Sequence, residues 1–99
     1  MTVLVEFRAE ARVEIDEAFA WYEQQSAGLG ADFLRAVEAA VESISRRPDS
    51  WPLVRENVRR RLLRRFPYSL IYRVDPGRVV VVACFHARRD PARWRARVG

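Results

Sequence analysis

Residues 68–86 read YSLIYRVDPGRVVVVACFH. Tyr68, Leu70, Tyr72 and Val74 fall on one face of an extended chain, with Ser69, Ile71 and Arg73 on the other, which predicts a strand from Tyr68 to Asp75. Asp75-Pro76-Gly77-Arg78 then reads as a hairpin turn, because Pro fixes φ at the first central position and Gly accepts positive φ at the second. Val79 to His86 is apolar nearly throughout, so it is expected to be a central strand buried on both faces. Upstream, Val58 to Phe66 (VRRRLLRRF) is expected to be a further strand that Pro67 ends. Asp49 to Asn57, carrying Trp51-Pro52, reads as a loop.

The period changes in the first half. Val3 to Phe7 is β-branched and apolar, a short strand. Ile15, Ala18, Phe19 and Tyr22 recur at i, i+3, i+4 and i+7, placing a helix from about Ala9 to Gln25. Ala27-Gly28-Leu29-Gly30 breaks it. A second helix from about Ala31 to Arg46 carries the stripe Phe33, Leu34, Val37, Val41 and Ile44, with Arg46 and Arg47 at its end and Pro48 as its stop. So short a connection predicts an antiparallel helical hairpin. Asp90 to Arg97 reads as a final helical turn, with Asp90 as cap and Pro91 at the first position. The expected order is β-α-α-β-β-β, an α+β fold in which the hairpin packs on a small, curved, mainly antiparallel sheet.

Ninety-nine residues, 49% of them hydrophobic, predict one globular domain spanning 1–99. The single Cys84 makes no internal disulfide and no Cys/His cluster suggests zinc, as expected in a reducing cytoplasm. The first residues are too acidic and too short in apolar run for a signal peptide, and no stretch reaches the ~20 apolar residues of a membrane span. Charge is strongly lopsided. There is no lysine; residues 1–45 hold 3 Arg against 9 acids, and residues 46–99 hold 15 Arg against 4. A basic half of this kind suits an anionic partner, nucleic acid or acidic protein.

Two segments carry a resemblance. Phe66 to Val74 (FPYSLIYRV) and Phe85 to Trp94 (FHARRDPARW), taken with the order of elements, resemble the RelE/ParE superfamily of bacterial type II toxin–antitoxin toxins over nearly the whole chain, nearer its ParE-like branch. The resemblance implies a small cytoplasmic toxin that needs no cofactor or metal and meets no membrane. It implies neutralisation by a separate, usually acidic, antitoxin that wraps the toxin, with higher-order assembly open. The ParE branch acts on DNA gyrase; the RelE branch cleaves mRNA on the ribosome. Fold likeness does not choose between them.

Metal-free RNA cleavage requires a base, an acid and cations around the phosphate. The candidates are His86, Glu56, Tyr68 and Tyr72 with Arg64, Arg65, Arg73, Arg88 and Arg89, of which His86, Arg73, Arg88 and Arg89 form the preferred set. Arginine clamps phosphate but does not titrate usefully, so His86 or Glu56 would move the proton. RelE-type ribonucleases commonly carry active-site lysines, absent here, and an arginine where this chain has Ser69; Arg73, four residues later on the same face, is the candidate substitute. For a toxin that acts by binding, Arg59, Arg60, Arg61, Arg64 and Arg65 are expected to meet the antitoxin's carboxylates. His86, Arg88, Arg89, Arg93, Trp94 and Arg95 are expected to meet the target. Each also has a plainer reading. His86 could bond a neighbouring backbone; Tyr68, Tyr72, Trp21, Tyr22 and Cys84 could pack; Trp94 could fasten the tail to the sheet; the acids of the hairpin could neutralise the arginines. A third reading, a basic nucleic-acid-binding module, lacks a helix-turn-helix.

Overall fold

The structure, a computed structural model, describes residues 3–89 and 91–98, with only the backbone of Val98. In chain order the elements are β1 (Leu4–Phe7), α1 (Ala9–Gln25), α2 (Leu29–Arg46), β2 (Leu53–Arg55), β3 (Val58–Leu62), β4 (Tyr68–Asp75), β5 (Arg78–His86) and α3 (Ala92–Val98). The sheet has five strands in the order β1-β5-β4-β3-β2. Its last four form an antiparallel meander, and β1 joins β5 in parallel, with Leu4 opposite Arg78 and Phe7 opposite Val81.

The helical hairpin covers one face of the sheet. Ala11, Ile15 and Ala18 of α1 and Phe33, Val37, Ala40 and Ile44 of α2 are buried against Leu70, Tyr72, Val79, Val81 and Cys84. Glu23 of α1 explains how the hairpin turns. Its carboxylate accepts the Gly28 N–H at 3.0 Å and the Gly30 N–H at 3.0 Å, satisfying donors that the start of α2 would otherwise leave orphaned. Leu29-Gly30 therefore belongs to the first turn of α2, not to the break. A Cβ on Gly30 would lie 2.9 Å from Glu23 Oε1 and from the Phe19 ring, so the capping carboxylate can approach only glycine. Gly28 itself supplies the left-handed turn, at φ 89°.

A second, smaller core lies on the other face of the sheet. Val58, Ile71, Val80, Val82, Ala83, Phe85 and Trp94 form it, with α3 bringing the indole. Tyr72 closes the first core at the far side: its hydroxyl donates to the Pro48 carbonyl at 2.7 Å, and burial pushes its pKa up to about 12.

Two further points differ from the sequence reading. The expected loop 49–57 contains β2, a three-residue strand paired to β3 and too short to leave a periodic signature. The strand expected to reach Phe66 ends at Leu62. Leu63 and Phe66 both turn into the helix-side core, Arg65 takes a positive φ of 70°, and the Leu63 N–H donates to the Tyr68 carbonyl at 2.8 Å. Residues three apart on one side, with a left-handed residue between them, make a turn rather than a strand. Asp90, expected to cap the last helix, lies outside the described residues.

Candidate functional site

One irregularity in β5 positions the principal cleft. Ile71 sits opposite Ala83 and Tyr72 opposite Val81, so β5 carries an extra residue at Val82, a β-bulge. Before it, Val79 and Val81 face the helices; after it, Val82 and Ala83 both lie in the second core and Cys84 faces the helices again. Without the bulge, even-numbered residues would stay with Val80 and Val82. The parity change turns His86 toward α1.

The bulge frees backbone groups, and side chains from two helices take them up. The Cys84 N–H donates to Glu14 Oε1 at 3.0 Å, and Arg97 Nη1 donates to the Val82 carbonyl at 3.0 Å. Arg97 also grips Glu14 with both terminal nitrogens, at 2.8 and 3.0 Å. Hydrogen bonding to Glu14 raises the Arg97 pKa further above its ordinary value. Helix α1, the bulge and helix α3 are thus joined at one point.

The resulting cleft, about 610 Å³, lies between α1 and the ends of β4 and β5. Trp21, Tyr22, Tyr68 and His86 supply aromatic walls, and Glu14, Glu17 and Arg89 supply charge. His86 meets the Tyr68 ring edge-on at 5.0 Å, and its Nδ1 accepts the Arg88 N–H at 3.0 Å. In the neutral ring the proton then sits on Nε2. Burial raises the Tyr68 phenol above its ordinary value, against an opposing pull from Arg89, so at neutral pH it is a hydrogen-bond donor. Burial, reinforced by Glu14, pushes the Cys84 thiol up to about 12, which removes it as a nucleophile. Trp21 and Tyr22 had read as helix packing. Trp21 is 54% exposed, one position off the apolar stripe of α1, and an indole off the stripe was the available signal. Glu14 and Arg97 gave no sequence signal, because their partnership spans 83 residues.

The preferred cleavage set does not assemble. His86 and Arg89 share the cleft. Arg73 lies on the opposite sheet face, level with Val80 and Val58, where both its Nε and Nη2 donate to Asp75 at 2.9 Å. Glu56 sits in the β2–β3 turn at the other end of the strands, beside Asn57, whose carbonyl accepts the Val74 N–H. Hydrogen bonding to Arg73 holds the Asp75 carboxyl below the usual carboxylate range. A depressed folded-state pKa contributes stability that is full above the unfolded carboxylate value and is lost as pH falls through the folded one. The urea midpoint of the wild type should therefore fall on acidification, and its advantage over Asp75→Asn should shrink below the ordinary carboxylate range. Parallel midpoints from pH 7 to pH 3 would refute that coupling.

The other expected residues are scattered. Arg59 is bound into the preceding loop, donating to the carbonyls of Trp51 at 2.7 Å and Asp49 at 3.1 Å. Arg61 stacks 4.1 Å over the Trp51 ring and donates to Ser43 Oγ at 3.2 Å. Arg60 is exposed and lies in register with Ile71, on the side of the second core. Arg64 and Arg65 lie in the turn after β3, Arg65 within 4.0 Å of Asp32. Of the expected target residues, Trp94 is 5% exposed and fastens α3 to the sheet. Arg88 is exposed in the turn after β5, and Arg95, also exposed, lies 5.5 Å from the Trp94 ring. Arg93 and Arg97 face Glu10, Glu14 and Glu17 across a groove between α3 and α1, so part of the charge imbalance is neutralised internally. Among the described residues no group of His, Cys, Asp and Glu is placed to hold a metal, and no helix is long and apolar enough to cross a membrane.

Residues 5–91 match the model of a family described as the ParE toxin of the type II toxin–antitoxin system parDE. Among solved structures, the chain is similar to one from a chromosomal ParDE toxin–antitoxin system of P. aeruginosa. The TM-score is 0.65 at 18% identity, over 88% of this chain and 98% of that one. It is also similar to a chain of the toxin–antitoxin complex RelBE2 from Mycobacterium tuberculosis, with a TM-score of 0.60 and 26% identity over 87% of this chain and 99% of that one. No curated protein matches the chain.

Proposed function

The chain belongs to the ParE toxin family of type II toxin–antitoxin systems, and from that membership we propose that it arrests growth in the cytoplasm by binding DNA gyrase until a cognate acidic antitoxin neutralises it. In this reading residues 1–99 act as one domain that binds a protein rather than as an enzyme. The observation that carries the choice of target is the separation of the cleavage candidates. Arg73, the candidate for the arginine missing at Ser69, is on the sheet face opposite His86 and bidentate to Asp75. A phosphate held by Arg73 would be out of reach of a proton moved by His86.

One observation favours the second reading. His86, Tyr68 and Arg89 line a single cleft, with a proton donor and a cation side by side. The two readings part on one experiment, in which the chain is induced alone in a bacterial host and DNA and protein synthesis are followed together. Gyrase binding predicts early loss of DNA synthesis with filamentation, and His86→Ala and Arg73→Ala remain toxic. Early loss of translation with cleaved mRNA, abolished by His86→Ala, would overturn it.

A further inference from the structure

The cleft between α1 and the ends of β4 and β5 holds more hydrogen-bonding capacity than the protein itself uses. Among the described residues, the hydroxyls of Tyr22 and Tyr68 meet no acceptor, and His86, whose Nδ1 is taken by the Arg88 N–H, keeps its Nε2–H free. Tyr68 lies within electrostatic reach of both Tyr22 and Arg89. Burial and then Tyr68 raise the pKa of Tyr22, and Arg89 opposes the burial that raises Tyr68. Both phenols therefore stay protonated at neutral pH and can donate. Glu17, on α1, and Arg89, in the turn after β5, stand on opposite walls, and among the described residues neither meets a side chain of opposite charge. The rest of the wall is flat and apolar. The half-exposed Trp21 ring meets Tyr22 edge-on at 5.1 Å, and His86 meets Tyr68 edge-on at 5.0 Å. In an edge-on pair one ring uses only its edge, which leaves faces free for stacking. Ala18 and Cys84, short and buried, close the floor.

We propose that this cleft binds a free purine nucleoside monophosphate. The base stacks on the aromatic wall headed by Trp21, and its edge N–H groups donate to Glu17. The phenols and the His86 Nε2–H donate to ring nitrogens and ribose oxygens, and the planar Arg89 guanidinium holds the phosphate. The volume of about 610 Å³ lies within the ~300–1,000 Å³ of small-ligand sites. The aromatic side chain of another protein would fill the walls but leave the donors and both charges unmet, at a cost. A nucleic-acid strand needs a row of cations, whereas the lining of the cleft offers Arg89 alone among the described residues, against Glu14 and Glu17. A bound nucleotide would cover His86 and Arg89, both expected to meet the target, and so would compete with it. That consequence rests on the toxin reading above; the binding itself does not.

The probes are adenosine monophosphate and guanosine monophosphate, titrated against the full chain by calorimetry, with the indole N–H resonances of isotopically labelled protein as a second readout. At least one should saturate below about 1 mM. The Trp21 resonance should shift, and that of Trp51, under Arg61, should not. Arg89→Gln and Trp21→Ala, both at exposed residues, should each weaken the nucleotide roughly tenfold or more. Arg55→Gln, the same loss of charge at the β2 edge of the sheet, should weaken it no more than about twofold. Ribose phosphate and the free nucleosides should each bind roughly tenfold more weakly than the nucleotide. No saturable binding of either nucleotide, a shift at Trp51 in place of Trp21, or equal losses in Arg89→Gln and Arg55→Gln overturns the proposal. Ribose phosphate that binds as well as the nucleotide reduces the site to an anion contact and overturns it. So does a short RNA that binds roughly tenfold more tightly than the nucleotide, in favour of a strand. The toxin reading fails separately, if the wild type induced alone does not arrest growth whatever the nucleotide does.

Discussion

Phe33→Ala should remove a large part of the protein's stability. Phe33 is fully buried, on the inner face of α2, and three rings close around it: Tyr22 at 5.4 Å, Phe66 at 5.4 Å and Tyr68 at 5.3 Å. Emptying such a site costs about 3–5 kcal/mol, from lost transfer energy and from a cavity that rigid neighbours cannot refill. A domain of this size has about 5–15 kcal/mol in total. The melting temperature should fall by roughly 15–30 °C, at ~4–8 °C per kcal/mol. Phe33→Leu, which keeps most of the volume, should lose less than half as much. The cluster also joins α2 to the turn after β3 and to the first residue of β4, so Phe33→Ala should loosen the cleft wall at Tyr68 as it unfolds the core. A thermal melt with near-ultraviolet circular dichroism tests this; a fall under about 5 °C would mean that the rings collapse onto the vacancy.

Glu14→Ala should cost about 2–4 kcal/mol, far more than a surface carboxylate. The Glu14 side chain is 13% exposed and its Arg97 partner 21%. Removing it strands the Cys84 N–H, which lies past the Phe7–Val81 end of the β1 pairing, and leaves Arg97, among the described residues, with only the Val82 carbonyl as hydrogen-bond acceptor. Glu14→Gln is the informative companion. It keeps an acceptor for Cys84 but loses the charge that holds Arg97, so its loss should fall between wild type and alanine. Amide hydrogen exchange at Cys84 reads the bulge directly: protection should drop sharply in the alanine variant and little in the glutamine one. Unchanged protection in both would show that the bulge holds itself.

Much of this was legible in the chain. The period of α1 gave its ends, Ala9 and Gln25, and the alternation of β4 gave Tyr68 to Asp75, because each element has a polar and an apolar side. The ParE-like family and the α+β architecture followed from the order of these elements. The start of α2 was not legible, since two glycines in four residues signal a break unless a distant carboxylate caps the helix, and that carboxylate is Glu23. The β5 bulge was invisible for a different reason. Val79 to Phe85 is apolar at every position, so a change of parity leaves no mark on the sequence. The same alternation that put Arg73 beside Ser69 and Ile71 was readable, whereas the facing of His86 depends on the bulge. The arginines at 59–65 were grouped by closeness in sequence; alternation along β3 puts Arg59 and Arg60 on opposite faces, and the turn at Leu63 separates Arg64 and Arg65 from both.

The parallel pairing of β1 with β5 sets the order in which the molecule can be made. Leu4 has its strand partner at Arg78, and Phe7 at Val81. The α1–α2 hairpin is local and can form as soon as residue 46 has been synthesised, but β1 has no strand to join until residues 78–81 have been made. The aromatic and valine stripes of the hairpin must wait for the same strands. The cleft also waits, because Arg97, which secures its bulge, is made after all five strands. A nascent chain is thus incompletely assembled on this side until residue 97 has been made, whereas the arginines of α2 are displayed early. A partner that recognises that helix could engage the chain before its sheet closes.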